Sequence, residues 1–468
     1  MTRSRLWVAL AVLLPILASL IARISTVDLA YHLRAGEEIL TTAAIPTVDT
    51  WTFTVHGRPW VDQQWAAQVT LRMVESVGGW VGLAAFRATL IGLIFGGVAL
   101  IGIRRGLDLR TSALLALAAF GVAAPALALR PQLLGMACLV VVLLLVVDRR
   151  RHPRRMWLAL IVIAIWANLH GSFFLGPLVL GLAWLEDVHD RSSDAMHTLI
   201  VTVASAAAAC LTPFGPTVWV YAAGLSANPS VTGRITEWQP TSLRDVPGII
   251  FFTSVAVIGL LIARSERRVA WPTLAWLAVF AFIGIYAQRG VAWWPLGAAV
   301  ALAGSVVQPA PTPRIEPLII RRINGLIVAT LIAATAVALP WWRPIEPETT
   351  LPVGVVGPAP PGITAAVRDA ASPGDHVYVP QMWGSWFEYA VPNVLVAVDS
   401  RIELFPLDVW QRFDAVSAGR GDWQMQLEEW NVGLVVTTPT DEGFSSRLRA
   451  AGWLELFRDG DGAVFGRG

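Results

Sequence analysis

Residues 25–78 hold a dense set of side chains that could carry acid–base chemistry. The set consists of Asp28, His32, Arg34, Glu37, Asp49, His56, Arg58 and Asp62. Asp28 and His32 are four residues apart, so on a helix they share one face and place a carboxylate beside an imidazole. A carboxylate in such a position can act as the base that takes a proton from a hydroxyl group. The alternative is a solvated helix whose charges are held in ion pairs.

A second set of ionisable residues lies at the ends of apolar runs. Arg130 occurs in LALRPQ, His170 in WANLHGSFF, Arg234 in VTGRITEW and Arg289 in YAQRGVAWW. Ionisable groups near lipid are costly unless they are partnered, which makes them candidates for function. The planar guanidinium group suits a phosphate because it can donate two parallel hydrogen bonds. The alternatives are arginines that reach lipid headgroups and a histidine that makes structural hydrogen bonds.

Two further groups of residues suit ligand binding. Glu237 and Trp238 could line a sugar site, although a membrane-interface aromatic belt is the alternative for this pair. Asp399, Arg401 and Glu403 follow a predicted strand directly, where the loops of α/β domains often bind ligands. A structural network of salt bridges would also explain this second group.

The elements that must position these residues are mainly membrane helices. The chain has 468 residues, of which 55% are hydrophobic and 15% charged, and its mean hydropathy is +0.59. A helix needs roughly 20 apolar residues to cross a bilayer core of about 30 Å. We predict about eleven such helices, the first of them retained and not cleaved as a signal peptide. They occupy approximately residues 6–24, 79–103, 111–129, 132–147, 156–169, 172–185, 197–212, 248–263, 269–286, 290–308 and 323–342.

The arginines of the short loops predict the orientation of these helices. Residues 104–105, 149–155 and 321–322 are rich in arginine and fall on one side if the N-terminus is cytoplasmic. Positively charged loops resist translocation and stay in the cytoplasm. Residues 25–78 and everything after Trp342 are then extracytoplasmic.

The C-terminal part of the chain has the pattern of a small α/β domain. Residues 343–361 are proline-rich and are predicted to be a linker between a membrane domain, 1–342, and a soluble domain, 362–468. Strand-like segments occur at His376–Pro380, Val394–Val398, Gly433–Thr438 and Ala463–Phe465, separated by helix-like patterns. The predicted fold class is therefore a polytopic α-helical membrane protein with a small C-terminal extracytoplasmic α/β domain.

Composition excludes several classes of function. The net charge of +2 gives no field that would indicate nucleic-acid binding. All the basic residues are arginine, which excludes phosphate-binding loops and covalent mechanisms that require lysine. The two cysteines, Cys138 and Cys210, lie in apolar runs, so a disulfide framework or a cysteine-based zinc site is also excluded.

The first polar segment carries a motif likeness to a known superfamily. Its patterns are D-x-x-x-H-L-x-x-G-x-x-I, I-P-x-x-D-x-W-T and G-x-P-W-V-x-x-x-W. The residues that form them are Asp28, His32, Leu33, Gly36, Ile39, Pro46, Asp49, Gly57, Pro59, Trp60 and Trp65. With some ten or more spans and a C-terminal domain, the chain resembles the GT-C superfamily of polyprenyl-phosphate-sugar-dependent glycosyltransferases, more narrowly the family 39-like enzymes and bacterial mannosyl- or arabinofuranosyltransferases.

The resemblance implies an enzyme of the bacterial cell membrane. Its donor would be a polyprenyl-phosphate sugar, its acceptor an extracytoplasmic glycan, lipid or protein of the cell envelope, and its reaction an inverting transfer with Asp28 as the base. The paired acidic motif of some members is absent, so a divalent metal stays open as a cofactor, no metal ligand is assigned, and no other cofactor is expected.

The candidate site residues follow from these arguments. The catalytic candidates are Asp28, His32 and Asp49, the donor-phosphate candidates are Arg130, Arg289 and Arg34, and the substrate-binding candidates are His170, Arg234, Glu237, Asp62 and Arg401. Two other classes of function remain. A transporter or lipid flippase would also be polytopic, but its broken helices in matching halves are not found. A non-catalytic scaffold of the envelope would present the C-terminal domain to partners.

Overall fold

The structure is a computed structural model that describes residues 1–264, 268–305, 316–347 and 351–468. These residues form nineteen α-helices and seven strands. The helices are α1 (Arg3–Ile21), α2 (Thr26–Thr42), α3 (Trp65–Arg104), α4 (Leu109–Ala123), α5 (Pro131–Asp148), α6 (Leu158–Leu169), α7 (Leu175–His189), α8 (Ala195–Ala208), α9 (Thr217–Ala227), α10 (Pro229–Arg234), α11 (Val246–Ala263), α12 (Trp271–Tyr286), α13 (Trp294–Ser305), α14 (Leu318–Ala338), α15 (Pro361–Ala370), α16 (Gln381–Ala390), α17 (Leu407–Ser417), α18 (Trp423–Glu429) and α19 (Glu442–Ala450). The strands are β1 (Ile24–Ser25), β2 (Val356–Gly357), β3 (His376–Tyr378), β4 (Leu395–Val396), β5 (Val432–Thr437), β6 (Leu454–Arg458) and β7 (Ala463–Gly466).

Every predicted apolar run coincides with a helix. Within the described ranges, seven helical segments are long and apolar enough to cross a membrane. They are α1, α3, α4 with the turn after it, α5, α7 with the turn before it, α11 and α14. The remaining four runs fall on the shorter helices α6, α8, α12 and α13, and residues 306–308 of the last run lie outside the described residues. The number of spans, eleven, stays a prediction.

The start of α5 shows how local sequence positions a candidate residue. Pro131 occupies the first turn of the helix, where the missing N–H of proline leaves no hydrogen bond unmade. Arg130 precedes it as the N-cap residue with an extended backbone. The side chain of Arg130 is therefore held at the very end of an apolar helix.

The chain divides into two compact units. The first comprises residues 1–22, 84–227 and 232–339, and the second comprises 23–83, 228–231 and 340–468. The sequence assigned the polar segment 25–78 to the membrane domain, whereas the contacts group it with the C-terminal residues. The predicted linker 343–361 is part of the same unit, and its residues 348–350 lie outside the described residues.

A five-stranded sheet organises the second unit. Its strand order is β4-β3-β5-β7-β6, with β3 parallel to β4 and β5 and with β7 antiparallel to β5 and β6. The sheet contains the four strands that the sequence predicted and also β6. In addition, β1 pairs with β2 in parallel, so the proline-rich segment forms a strand where a linker was expected.

The polar segment 25–78 is tied to this sheet through its backbone. The N–H of Phe53 donates to the carbonyl of Val396 at 3.1 Å, and the N–H of Val396 donates to the carbonyl of Trp51 at 3.2 Å. These bonds satisfy the open edge of β4, which would otherwise present unpaired polar groups. The segment that carries the candidate carboxylates is thus an added edge of the C-terminal sheet.

Candidate active site

Arg401 is the centre of the most highly charged buried cluster in the second unit. Its guanidinium donates to Asp399 through Nε at 2.8 Å and to Asp49 through Nη2 at 2.6 Å. The same group also contacts two indole rings, 4.4 Å from the Trp51 centroid and 4.6 Å from that of Trp60. Ion pairs and cation–π contacts together compensate the charge of a side chain that is only 1% exposed. We refer to these five residues as the arginine cluster.

The contacts of Asp49 indicate a structural carboxylate. One oxygen accepts from Arg401, and the other accepts from the N–H of Thr52 at 3.2 Å and from its hydroxyl at 2.6 Å. A base must be able to reach a substrate hydroxyl, and both oxygens of this fully buried group are already used. The arrangement supports a role for Asp49 in holding the polar segment.

Asp28 and His32 lie one turn apart on α2, as their spacing predicts. Asp28 is in the first turn of the helix and is half-buried, whereas His32 is buried with its ring 4.0 Å from that of Tyr31. The α2 N-terminus favours a negative charge because its unpaired N–H groups are there. Of the three catalytic candidates, Asp28 is therefore the carboxylate with access to solvent.

Glu403 and Glu388 bring further carboxyl groups to the arginine cluster. Burial raises the pKa of Glu403 to about 7, and repulsion from Asp399 and Asp28 adds to the shift while Arg401 opposes it. Burial also raises the pKa of Glu388 well above its ordinary value, and Asp399 raises it further. Asp28 thus lies within electrostatic range of a carboxyl group that titrates near neutrality.

Asp62 is a third carboxyl group of this kind. It is 2% exposed, and burial raises its pKa to about 7. Its Oδ1 accepts from Nε2 of Gln68 at 2.6 Å, while Oδ2 is buried with no hydrogen-bond partner among the described residues. Arg401 and Glu403 both act on it electrostatically. Carboxyl groups that titrate near neutrality in a polar cluster are typical of sites that transfer protons.

Arg34, a donor-phosphate candidate, is engaged by the protein itself. Its two terminal nitrogens donate to the carbonyls of Glu388 and Pro392, each at 3.2 Å. These bonds join α2 to the end of α16. They support a positioning role for Arg34, because they fix the helix that carries Asp28.

The first unit contains a cavity of about 280 Å³ that is lined by three of the candidates. Arg130, Glu237 and Arg289 all line it. Nη1 of Arg130 lies 2.9 Å from Glu237, and the guanidinium of Arg289 lies 4.5 Å from the centroid of Trp238. Nε2 of Gln132 donates to the carbonyl of Arg289 at 3.3 Å. Two guanidinium groups at one cavity are suited to an anionic group of a ligand.

The last two candidates of the first unit lie elsewhere. Nδ1 of His170 accepts from the N–H of Ser172 at 3.1 Å and lies 2.7 Å from its hydroxyl, which also accepts from Trp166. His170 thereby caps the helical turn Gly171–Phe174, as expected of a structural histidine. Arg234 is the last residue of α10, just before the turn Thr236–Trp238 that carries Glu237.

The described residues do not contain a group of three or more histidine, cysteine, aspartate or glutamate side chains placed to hold a metal ion. No step of the chemistry proposed for this chain uses a metal ion.

Comparison with known proteins places the fold. No protein-family model matches the sequence, and no curated protein matches it. Among solved structures, the arabinofuranosyltransferase AftD from mycobacteria has a TM-score of 0.58 and 18% identity over 100% of this chain and 42% of that one. The oligosaccharyltransferase of Archaeoglobus fulgidus has a TM-score of 0.50 and 14% identity over 92% of this chain and 69% of that one.

The chain has a GT-C-type fold. This confirms the resemblance seen in the motifs at the level of fold. ArnT from Cupriavidus metallidurans, solved with undecaprenyl phosphate, has a TM-score of 0.48 and 14% identity over 98% of this chain and 97% of that one. Folds host many functions, so the activity has to be argued from the site.

Proposed function

We propose that the chain is a membrane glycosyltransferase that moves a sugar from a polyprenyl-phosphate donor to an acceptor of the cell envelope. The observation that carries this proposal is the position of Asp28 in a GT-C-type fold. Asp28 follows the first apolar helix directly, on the solvent-accessible first turn of α2, and has a carboxyl group of raised pKa in Glu403 nearby. The acceptor is a glycan, a lipid or a protein.

In the proposed reaction, Asp28 removes the proton from the acceptor hydroxyl as its oxygen attacks the anomeric carbon of the sugar. The bond between that carbon and the phosphate oxygen breaks, and the polyprenyl phosphate leaves with the bonding electrons. Attack opposite to the leaving group inverts the configuration at that carbon. A positioned base contributes about 10²- to 10⁴-fold to the rate of such a step. His32, one turn further along α2, orients Asp28.

The leaving phosphate requires cationic partners, for which Arg130 and Arg289 are the best candidates. Both line the cavity of about 280 Å³ in the first unit. The Arg130–Glu237 pair is partly exposed, at 25% and 40% of the side-chain areas, so a phosphate can replace the carboxylate at small cost. Of the remaining candidates, Asp62 and Arg234 are assigned to the acceptor, while Arg401, Asp49, Arg34 and His170 are assigned to holding the site.

The proposal includes an orientation of the chain in a bacterial plasma membrane. The N-terminus is cytoplasmic and residues 362–468 are extracytoplasmic, because this orientation puts the arginine-rich short loops on the cytoplasmic side. A reporter that is active only in the cytoplasm, fused after Gly468, is expected to be inactive. An active reporter at that position would overturn both the orientation and the proposed chemistry outside the membrane.

The decisive experiment is radiolabelled transfer from a panel of polyprenyl-phosphate sugars by the purified protein in lipid vesicles. Asp28→Asn is expected to lower the turnover at least 100-fold, since it keeps the shape of the side chain and removes the base. Asp369→Asn is the matched control, because Asp369 is an exposed aspartate of the same unit. Both variants should remain folded in the membrane.

Two outcomes would contradict the proposal. Transfer that is unchanged in Asp28→Asn but lost in Asp62→Asn would move the base to Asp62. Labelled sugar that accumulates inside the vesicles with no transferred product would instead indicate transport.

A further inference from the structure

The second unit contains a cleft of about 610 Å³ that the proposed chemistry does not use. Its volume lies within the range of about 300–1,000 Å³ that is typical of ligand pockets. Asp28 does not contribute to its lining, which comes from α2, the first half of α3, the end of α16 and residues near them. The cleft is therefore a candidate binding site distinct from the proposed base.

Charged groups of both signs line its wall. Arg72 forms ion pairs with Glu37 and with Glu75. Two more guanidinium groups face the cleft, and both donate to backbone carbonyls, Arg34 to that of Glu388 at 3.2 Å and Arg368 to that of Ala390 at 3.4 Å. The wall thus offers hydrogen-bond donors and carboxylate acceptors side by side, with nearly balanced charge.

Aromatic side chains form another part of the wall. Tyr389 lies edge-on to Trp80, with ring centroids 6.1 Å apart, and 5.9 Å from the centroid of Trp386. Its hydroxyl donates to Oε1 of Glu75 at 3.3 Å. The aromatic and charged parts of the wall are consequently joined by one hydrogen bond.

A break in α3 lies in the lining of the cleft, at Gly78 and Gly79. Gly79 has φ 56° and ψ −154°, a conformation that side chains disfavour. A Cβ atom added at Gly78 or at Gly79 would have no atom within 4 Å. The pair of glycines therefore exposes backbone and free space beside the aromatic wall.

We propose that this cleft binds a neutral oligosaccharide. Each sugar hydroxyl both donates and accepts hydrogen bonds, so it finds partners in carboxylate and guanidinium groups alike. The apolar face of a sugar ring packs on aromatic side chains, which combine an apolar face with a polar edge. The three guanidinium groups and two carboxylates of the lining leave little net charge, so the wall suits an uncharged ligand. That this oligosaccharide is part of the acceptor rests on the proposed function. That the cleft binds an oligosaccharide does not.

The test is calorimetric titration of the full-length protein in detergent with neutral oligosaccharides of glucose, mannose, galactose and arabinose. Glu75→Gln removes a charged acceptor, and Gly78→Leu adds a bulky side chain to the lining of the cleft. Each is expected to weaken binding about tenfold or more, the effect of losing one hydrogen bond to a charged group or of blocking the ligand. Glu428→Gln changes an exposed glutamate of the same unit and should bind as the unaltered protein does.

Asp28→Asn separates this inference from the proposed function, because it is expected to bind the oligosaccharide normally even if transfer is lost. If the unaltered protein binds an oligosaccharide but shows no detectable transfer, the inference about the cleft stands and only the proposed enzymatic function is contradicted. The inference is overturned if no oligosaccharide of the panel binds, or if both cleft variants bind as tightly as the unaltered protein. Tighter binding of glycerol phosphate than of any neutral sugar would overturn it as well.

Discussion

The two units hold their arginines in opposite ways. Arg401, in the second unit, is 1% exposed and contacts three carboxyl groups, those of Asp49, Asp399 and Glu388, and two indole rings. Arg130, in the first unit, is 25% exposed and pairs with one carboxylate at the edge of a cavity. A buried charge without its partners is costly, whereas a partly exposed pair is worth little. Arg401 therefore has an architectural role, whereas Arg130 can exchange the partly exposed carboxylate of Glu237 for a ligand.

The largest expected effect comes from Arg401→Met, which leaves Asp49 and Asp399 buried without compensation. The free energy of unfolding should fall by about 3–5 kcal/mol, as for other buried pairs that lose one member. Thermal unfolding of the purified protein in detergent measures it. The control is Arg412→Met, since Arg412 lies 3.8 Å from Asp408 and is 47% exposed, so its loss should cost no more than about 1 kcal/mol. Equal losses of unfolding free energy in the two variants would show that Arg401 contributes no more to stability than an exposed arginine does.

The next prediction concerns the buried carboxyl groups around the arginine cluster. Because the pKa of Asp62 is raised to about 7, the folded state holds more protons than the unfolded state between about pH 4 and pH 7. Stability should therefore fall as pH rises through this window, by up to about 4 kcal/mol for this group. Asp62→Asn should flatten that part of the profile of unfolding temperature against pH, whereas Asp369→Asn should not. An unchanged profile in Asp62→Asn would show that Asp62 ionises normally.

Substitutions in the cavity of the first unit should weaken binding of the donor without changing the free energy of unfolding. Arg130→Lys and Arg289→Lys keep the charge and lose the paired hydrogen bonds, so each should raise the KM for the donor about tenfold at fixed acceptor. Arg244→Lys, at an exposed arginine of the same unit, is the control. Unchanged donor KM in both cavity variants would exclude these arginines as phosphate ligands.

The smallest effect is expected from Glu237→Gln. The partly exposed pair with Arg130 should contribute less than about 1 kcal/mol to stability. If Glu237 competes with the donor phosphate for Arg130, the variant should lower the donor KM a few-fold. A raised KM would mean that Glu237 itself contacts the donor.

The sequence predicted the local features of the site and not its long-range pairs. The helical spacing of Asp28 and His32, the positions of the apolar helices and four strands of the sheet all follow from short patterns. The pairing of Arg130 with Glu237 spans 107 residues and has no local signal. For the same reason, the sequence placed residues 25–78 with the membrane helices, although the backbone pairing of Trp51 and Phe53 with β4 groups them with the C-terminal sheet.

Strand β6 and Glu388 show why the sequence did not predict other features of the second unit. Strand β6 (LELFR) is short and mostly exposed, and it pairs only with β7 at the edge of the sheet, so three-dimensional pairing and not a buried apolar face identifies it as a strand. Glu388 is the acidic residue of the amphipathic helix α16. A charged side chain in such a helix is expected at the surface, yet Glu388 is buried. Only the three-dimensional fold reveals that a charged neighbour, Arg401, lies beside it.

The bond between Asp49 and Arg401 also sets an order of events during synthesis. The two residues are 352 positions apart, and ribosomes add about 5–20 residues per second. The polar segment therefore emerges roughly 20–70 s before the strand and the arginine that complete its fold. Throughout that interval Asp49, Trp51 and Trp60 lack the guanidinium group of Arg401, so their buried cluster is completed only after the C-terminal residues have been synthesised.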